Sequence, residues 1–237
     1  MTADILSSFQ AGTLRLHNRL VLPPMASAKA SAEGQVTPAL LAYYKEKSHG
    51  GYLSMVIVEH SFIAPEGRAS AGQLSVASDD TIEGLKKLVE ALHQNGARAV
   101  LQLNHAGGAT NHTITGCETV APSAVTLSKK GEVGRVLEIE EIGRIVQQFA
   151  DAAKRGKAAG FDGVEIHSAH GYLLNQFYSP LTNRRPDRYG GDVAGRTALH
   201  REVIRAVRDI VGSAYPVLLR LGACDDLDGG NTVAEAV

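Results

Sequence analysis

The sequence predicts an α/β fold built on a parallel sheet, and two observations support that prediction. Strand-like apolar runs alternate with helix-like segments along the chain, which is the order that successive βαβ units produce. Two long insertions, His105–Leu137 and His167–Arg196, both follow strands, so they belong at the carboxyl-end face of the sheet. Doubly wound sheets and barrels share this alternation, and the alternation alone leaves both architectures open.

The strands are predicted from short apolar runs. The first, Leu20–Leu22, stops at two prolines, which lack the N–H that a strand ladder needs. The other four are Tyr52–Val58, Arg98–Leu103, Phe161–Ile166 and Tyr215–Leu221. A (β/α)8 barrel has eight strands, and the sequence stops at Val237, inside a predicted helix. We therefore expect an open sheet or a TIM barrel truncated after about five strands, with about three βα units missing.

The helices are predicted from apolar periodicity and from their end signals. Thr37 is a typical N-cap, and Pro38 suits the first helical position of a helix that reaches about Ser48. Glycine stops the three longer helices. These are Asp79–Asn95 before Gly96, Glu140–Ala159 before Gly160, and Thr197–Val211 before Gly212.

Composition narrows the class of protein. The 237 residues are 44% hydrophobic and 21% charged, which predicts one globular domain over 1–237. Lys and Arg number 24 against 25 Asp and Glu, so no basic excess indicates a nucleic-acid partner. No run approaches the roughly 18 apolar residues of a membrane span, and the N-terminus lacks signal-peptide features. Cys117 and Cys224 are far apart. We expect a cytoplasmic protein with a small-molecule substrate and no metal, and a homo-oligomer stays open.

The segment Gly163–Tyr178 holds the strongest candidates for chemistry. An apolar strand leads directly into His167, His170 and Tyr172. Two imidazoles can donate hydrogen bonds to one oxygen, and a phenol can give a proton to a nearby carbon. A metal site is disfavoured, because no third His, Cys or carboxylate lies at a supporting spacing. A structural histidine pair and a packing tyrosine remain alternatives.

Polar residues also interrupt or close other predicted strands. Gln102 lies in an apolar strand, where an unpaired amide would cost about 1–3 kcal/mol. Arg220 interrupts the fifth strand, and its partner is either a structural carboxylate or the electron-rich side of a cofactor. Taken alone, the segment Pro23-Pro24-Met25-Ala26 predicts a strand end with a buried methionine. No G-x-G-x-x-G follows any strand, so a Rossmann fingerprint is absent.

Taken together and in order, these segments resemble a known family. The segments are Asn18–Met25, Val58–His60, Gln102–Gly107, His167–Tyr172, Ser179–Arg185 with Tyr189-Gly190-Gly191, and Leu219-Arg220. Together they resemble the Old Yellow Enzyme family of FMN-dependent NADH:flavin oxidoreductases, near its bacterial 2,4-dienoyl-CoA reductase and NADH oxidase branch. The resemblance begins at about residue 5, and it implies a TIM barrel.

The resemblance implies a role for each candidate. Pro24, Met25, Ala26 and His60 would approach the FMN ring, Gln102 would bond its pyrimidine edge, and Arg220 would stabilise negative charge on it. His167 and His170 would hold a substrate carbonyl oxygen, and Tyr172 would give a proton to the α-carbon. NAD(P)H would be the reductant, and an activated alkene or a similar acceptor would be reduced.

Three departures from the family pattern limit that resemblance. Ala26 replaces a common Thr or Cys, and Gly195-Arg196 stands where Asn-Arg is usual. The family's phosphate-binding loops follow the last two barrel strands, which we do not find. Two alternatives therefore stay open: a non-catalytic truncated remnant, and another FMN barrel of the dihydroorotate or tRNA-dihydrouridine oxidoreductase type.

Overall fold

A computed structural model describes residues 4–126 and 132–237, so five residues of the first long insertion lie outside the described residues. The strands are β1 (Phe9–Ala11), β2 (Leu14–Leu16), β3 (Val21–Leu22), β4 (Met55–Phe62), β5 (Arg98–Asn104), β6 (Val120–Ala121), β7 (Arg135–Val136), β8 (Gly163–Ser168) and β9 (Val217–Leu221). The α-helices are α1 (Pro38–Ser48), α2 (Ile82–Gln94), α3 (His112–Thr115), α4 (Ile139–Ala158), α5 (Leu173–Tyr178), α6 (Val193–Arg196), α7 (Ala198–Val211) and α8 (Val233–Ala236).

The central sheet has five strands in the order β3-β4-β5-β8-β9, and every neighbouring pair is parallel. The predicted strand number and direction are thus confirmed, and the sheet is a parallel half-barrel. Several strand boundaries differ from the prediction, and two of them matter for the site: β4 continues through Phe62 and β8 continues through Ser168. His60 and His167 therefore lie inside strands, and His167 is not in a loop past the strand end as expected.

The long helices cover one face of this sheet, called here the outer face. Leu101 and Val164 from the strands share a core cluster with Phe149 of α4 and Val203 of α7. The helix ends follow the predicted signals: the Thr37 side chain accepts a hydrogen bond from the Leu40 N–H at 3.1 Å. This cap satisfies one of the N–H groups that a helix start leaves without a partner.

The opposite, inner face changes character along the strands. At the amino ends, Met55, Ile57, Val100 and Leu218 form a second apolar cluster. The β1–β2 hairpin, which the sequence analysis missed, contributes Leu14 and Leu16 to that cluster. At the carboxyl ends the same face carries polar side chains, since alternate residues of a strand point to the same side.

The register proves that Gln102 and Arg220 share this inner face. Gln102 pairs with Glu165, and Glu165 pairs with Leu218, two residues before Arg220. Paired residues of parallel strands point to one side, as do residues two apart in a strand. All four polar side chains predicted at strand ends, His60, Gln102, His167 and Arg220, fall within the last three residues of their strands.

A β-bulge in β4 places His60 on the inner face. Ile57 pairs with Val100, but Ser61 pairs with Leu103, so β4 contains one extra residue between these two pairs. Such an insertion reverses the alternation of side chains. The Glu59 carboxylate consequently points outward and accepts a hydrogen bond from the Tyr44 hydroxyl at 3.3 Å, while His60 joins the polar inner face.

Candidate active site

The site is built around four rings at the carboxyl ends of β4 and β8. The ring centroid of His167 lies 5.0 Å from that of His170, 5.1 Å from that of Tyr172 and 6.3 Å from that of His60. His60 and Tyr172 stack at 5.4 Å with an interplanar angle of 26°. The structure therefore brings together the three residues that the sequence nominated for chemistry, and it adds His60 to them.

A strained turn directs His170 back towards His167. His170 has φ of +59° and Gly171 has φ of +73°, so two successive residues adopt left-handed backbone. This conformation is unfavourable for a residue with a Cβ, although histidine tolerates it better than most. The Asn175 side-chain oxygen accepts the Gly171 N–H at 2.8 Å and holds the turn.

Burial keeps the imidazoles neutral. Burial, aided by the neighbouring His170, His60 and Arg220, lowers the pKa of His167 to about 3. Burial, aided by His170, lowers the pKa of His60 to about 4. The pKa of His170 is lowered in the same way, first by burial and then by Arg220. Neutral imidazoles each offer one N–H donor and one acceptor.

The hydrogen bond to His167 fixes which nitrogen donates. The backbone N–H of Ala169 donates to Nδ1 of His167 at 3.3 Å, so Nδ1 is an acceptor and Nε2 carries the proton. Burial raises the pKa of Tyr172, so its phenol stays protonated at neutral pH. The site thus holds an imidazole donor and a phenol with an available proton side by side.

Gln102 and Arg220 form the other half of the site. The Gln102 amide nitrogen donates to the Glu165 carboxylate at 2.7 Å, and both side chains are buried. Burial raises the pKa of Glu165, while Gln102 and Arg220 oppose that rise. Arg220 is half-buried, less than the sequence predicted, and it forms no ion pair with any described residue. Its charge therefore remains available to a ligand.

The loop after β3 shows one clear difference from the simplest interpretation of its sequence. Pro24 is half-buried, whereas Met25 and Ala26 are exposed, and Met25 is 56% exposed. A methionine at a strand end was expected to be buried in the core. Its exposure leaves this loop available as a contact surface at the carboxyl-end face.

Two residues that organise the site were missed in the sequence. Glu165 orients the Gln102 amide, and its place on the inner face follows only from the register. Gln176 links two loops: its amide nitrogen donates to Ala106 O at 2.9 Å, and its oxygen accepts the Gly108 N–H at 3.1 Å. The available signal for Gln176 was a pair of adjacent polar residues, Asn175 and Gln176, in a short helix whose other residues are Leu, Phe and Tyr.

A cleft of about 790 Å³ opens beside the rings, and its lining includes His170, Arg220 and Arg184 at the charged side and Leu181 and Leu227 at the apolar side. Clefts at the carboxyl ends of parallel strands are the usual ligand sites of such folds.

Within the two described ranges, no helix is long and apolar enough to cross a membrane.

The fold and this site define a class: α/β proteins with a polar cleft at the carboxyl ends of a parallel half-barrel. The chain belongs to the NADH:flavin oxidoreductase / NADH oxidase family, whose pattern matches residues 4–237. The resemblance proposed from the sequence is confirmed, and membership favours it over the other FMN barrels considered. The family implies a flavin and a nicotinamide reductant.

Individual relatives agree with this assignment. The chain is 42% identical over 234 residues to an NADH oxidase of Thermoanaerobacter brockii, covering 98% of this chain and 36% of that protein. It is 40% identical to an NADPH dehydrogenase of Clostridium acetobutylicum, covering 95% of this chain and 66% of that one. The chain therefore spans between about a third and two thirds of these relatives.

Solved structures show the same relationship. An Old Yellow Enzyme homologue from Zymomonas mobilis superposes with a TM-score of 0.89 at 28% identity, covering 99% of this chain and 67% of that one. Old Yellow Enzyme from Pichia sp. gives 0.89 at 32% identity, with 98% and 63% covered. A complex of 2-naphthoyl-CoA reductase gives 0.93 at 27% identity, with 98% and 37% covered.

Proposed function

We propose that this chain carries the flavin and substrate site of an NAD(P)H-dependent FMN oxidoreductase that reduces an activated alkene of the enone or enoyl type, or a similar acceptor. One observation carries the proposal. The Gln102 amide, the His167 imidazole and the Arg220 guanidinium share one face of the half-barrel by register, and the rings of His170 and Tyr172 lie 5.0 Å and 5.1 Å from the His167 ring.

The residues present fit the isoalloxazine of FMN. Gln102 offers an amide for the pyrimidine edge, because Glu165 takes one of its N–H groups and leaves its oxygen without a bond to any described residue. Arg220 offers an uncommitted positive charge for the side of the ring that gains negative charge. Pro24, Met25, Ala26 and His60 lie at the same face and would complete the contact surface. When bound, FMN would supply hydride transfer between the nicotinamide and the acceptor.

The histidine pair would orient and polarise the substrate. The Nε2–H of His167 and a donor from His170 would hold the carbonyl oxygen of an enone. Both bonds strengthen as that oxygen acquires enolate charge, so they favour the transition state over the ground state. The neutral state of His167 does not impair this role, since a neutral imidazole with a protonated Nε2 still donates.

Tyr172 would complete the reduction. As hydride reaches the β-carbon, the α-carbon needs a proton, and the phenol lies beside the imidazoles that hold the oxygen. Its raised pKa keeps that proton in place until it is needed. The product is the saturated carbonyl compound, with one hydride and one proton added across the double bond.

A flavin spectrum and two kinetic measurements test the proposal. The purified protein, titrated with FMN, should show a bound-flavin spectrum that NADH or NADPH bleaches under anaerobic conditions. Cyclohex-2-enone should then restore the oxidised spectrum. A protein that binds no FMN would support the non-catalytic remnant instead. A flavoprotein that dioxygen or a quinone reoxidises, and the enone does not, would reject the alkene as acceptor.

A further inference from the structure

His60 occupies a position that no simple strand pattern would give it. The β-bulge in β4 turns it onto the inner face, where its ring stacks on that of Tyr172 at 5.4 Å and 26°. The ring of His167 meets the same phenol ring edge-on at 5.1 Å and 82°. Tyr172 is therefore held between two imidazoles, one parallel to it and one perpendicular.

The orientation of the His60 ring is fixed from behind. The Gln73 amide nitrogen donates to Nδ1 of His60 at 2.8 Å and to its backbone oxygen at 3.1 Å. The Gln73 oxygen accepts the Ala69 N–H at 2.7 Å, which settles the direction of the amide. Nδ1 of His60 is thus an acceptor, and the proton of the neutral ring lies on Nε2. Gln73 is itself 2% exposed, so this support is rigid.

The phenol has little else to hold it. Helix α5 fixes the Tyr172 backbone, whose N–H donates to Ala169 O at 3.2 Å. Within the described part of the chain, the Tyr172 hydroxyl forms no hydrogen bond. Aromatic contacts therefore set the direction of the Tyr172 ring. Each such contact shifts the equilibrium between ring orientations by roughly two- to tenfold.

We propose that His60 is a positioning residue for Tyr172: its imidazole, locked by Gln73, backs the phenol ring and fixes the direction from which the proton reaches the substrate. The expected effect on catalysis rests on the proposed function, whereas the fixed orientation of the Tyr172 ring does not. The groups that face His60 are Tyr172, His167, His170, Asn104 and Gln73.

The structural content can be tested without flavin or substrate. In protein labelled with ¹³C-tyrosine, the Tyr172 resonance is assigned by its loss in Tyr172→Phe. His60→Ala should shift that resonance and lower the pKa of the Tyr172 phenol towards its ordinary range, because burial raises it in the native chain. His60→Phe keeps a flat ring and should preserve both. An unchanged Tyr172 resonance in folded His60→Ala would overturn the proposal.

The catalytic consequence needs the protein with FMN bound. His60→Ala should slow reoxidation by the enone about three- to tenfold more than it slows flavin reduction by NAD(P)H, and His60→Phe should recover most of that difference. Equal slowing of both half-reactions would mean that His60 acts on the flavin, and would reject the positioning role. His49→Ala, at an exposed histidine just after α1, is the matched control.

These outcomes separate the two proposals. If the native protein reduces no alkene, the proposed function fails, and the tyrosine resonances still decide whether His60 positions Tyr172. If His60→Ala unfolds, the comparison of His60→Phe with His60→Leu supplies the same test, since leucine fills the space without a flat face. Indistinguishable Tyr172 resonances in those two variants would likewise reject the proposal.

Discussion

Two clefts of similar size open on the inner face of the half-barrel, one at each end of its strands. The cleft at the amino ends measures about 680 Å³ and the one at the carboxyl ends about 790 Å³. Apolar side chains such as Phe9, Leu14 and Met55 dominate the lining of the first, which also includes Arg19 and Arg208. The guanidinium of Arg19 bonds Ser7, and that of Arg208 bonds backbone oxygens.

Volume does not distinguish these clefts, but chemistry does. The carboxyl-end cleft adjoins three imidazoles, a phenol and a guanidinium without an ion pair among the described residues. Burying such groups opposes folding, whereas burying the apolar cluster favours it. The two ends of the same strands therefore serve opposite purposes, and substitutions should separate them.

The largest expected effect falls on the carboxyl end and on rate alone. Tyr172→Phe should slow alkene reduction about 10²- to 10⁴-fold, the usual contribution of a positioned general acid. Phenylalanine keeps the ring and deletes the proton, so flavin reduction by NAD(P)H and the free energy of unfolding should hardly change. Stopped-flow absorbance separates the two half-reactions. Equal slowing of both would make Tyr172 a packing residue.

The next effect falls on the amino end and on stability alone. Ile57→Ala removes three carbons from a cluster that includes Leu14, Leu16 and Val100, and it should lower the free energy of unfolding by about 2–5 kcal/mol. Urea denaturation measures this. Affinity for FMN and for phenolic ligands, taken at a temperature where the variant is folded, should stay within a factor of two. A large selective loss of ligand binding would contradict the expectation that the amino-end cluster affects stability and not the ligand site.

A smaller effect distinguishes the ligand side of the site from the flavin side. His167→Ala should weaken binding of a phenolic ligand by about one to two decades, since a hydrogen bond that gains charge is worth roughly 1.5–3 kcal/mol. Flavin affinity should fall less, because in the proposed function His167 would donate to the ligand oxygen. Ligand titration of the flavoprotein, followed by its visible spectrum, gives both constants. Parallel losses would identify the histidine pair as structural.

The smallest effect per group is the dependence of stability on pH. Burial lowers the pKa of His60, His105 and His200 to about 4 and that of His167 to about 3, all from 6.5. The unfolded chain therefore binds more protons, and the free energy of unfolding falls as pH drops from about 7 to about 4, by about 1.4 kcal/mol per pH unit for each proton.

The same titration can be assigned to one end of the strands. Burial raises the pKa of Glu59 and Glu165, so the folded chain protonates these carboxylates at a higher pH than the unfolded chain does, and they oppose the histidines as pH falls towards the unfolded carboxyl range. Urea unfolding at pH 7, 6 and 5 measures the slope. His167→Asn should reduce it by about one proton, and Ile57→Ala should leave it unchanged.

Sequence reasoning predicted the main elements and named most of the polar residues that the fold brings together, for a physical reason. Caps, glycine stops and apolar runs are local signals, so α1, α7 and the five strands were predicted to within a few residues. Polar residues near strand ends are also visible in a sequence. These signals located Gln102, His167 and Arg220 without any knowledge of the register.

What the sequence did not disclose depends on contacts between distant segments. Alternation from Met55 and Ile57 would point Glu59 inward, and only the pairing with β5 reveals the bulge that points His60 inward instead. The Gln102–Glu165 bond joins residues 63 apart. The short β1–β2 hairpin has exposed residues along β1, so it lacks the apolar alternation by which a strand is recognised.

The side chain of Gln176 joins the loop after β5 to the loop after β8, which are separated in the chain by helix α4. A methyl group added at Gly107 would fall 2.5 Å from the Gln176 oxygen, at a backbone with φ of +59°. The two loops therefore cannot vary independently. In evolution they should be inherited and replaced as one unit, so that the outline of the carboxyl-end cleft changes by paired exchanges across the two loops and seldom by drift in either one.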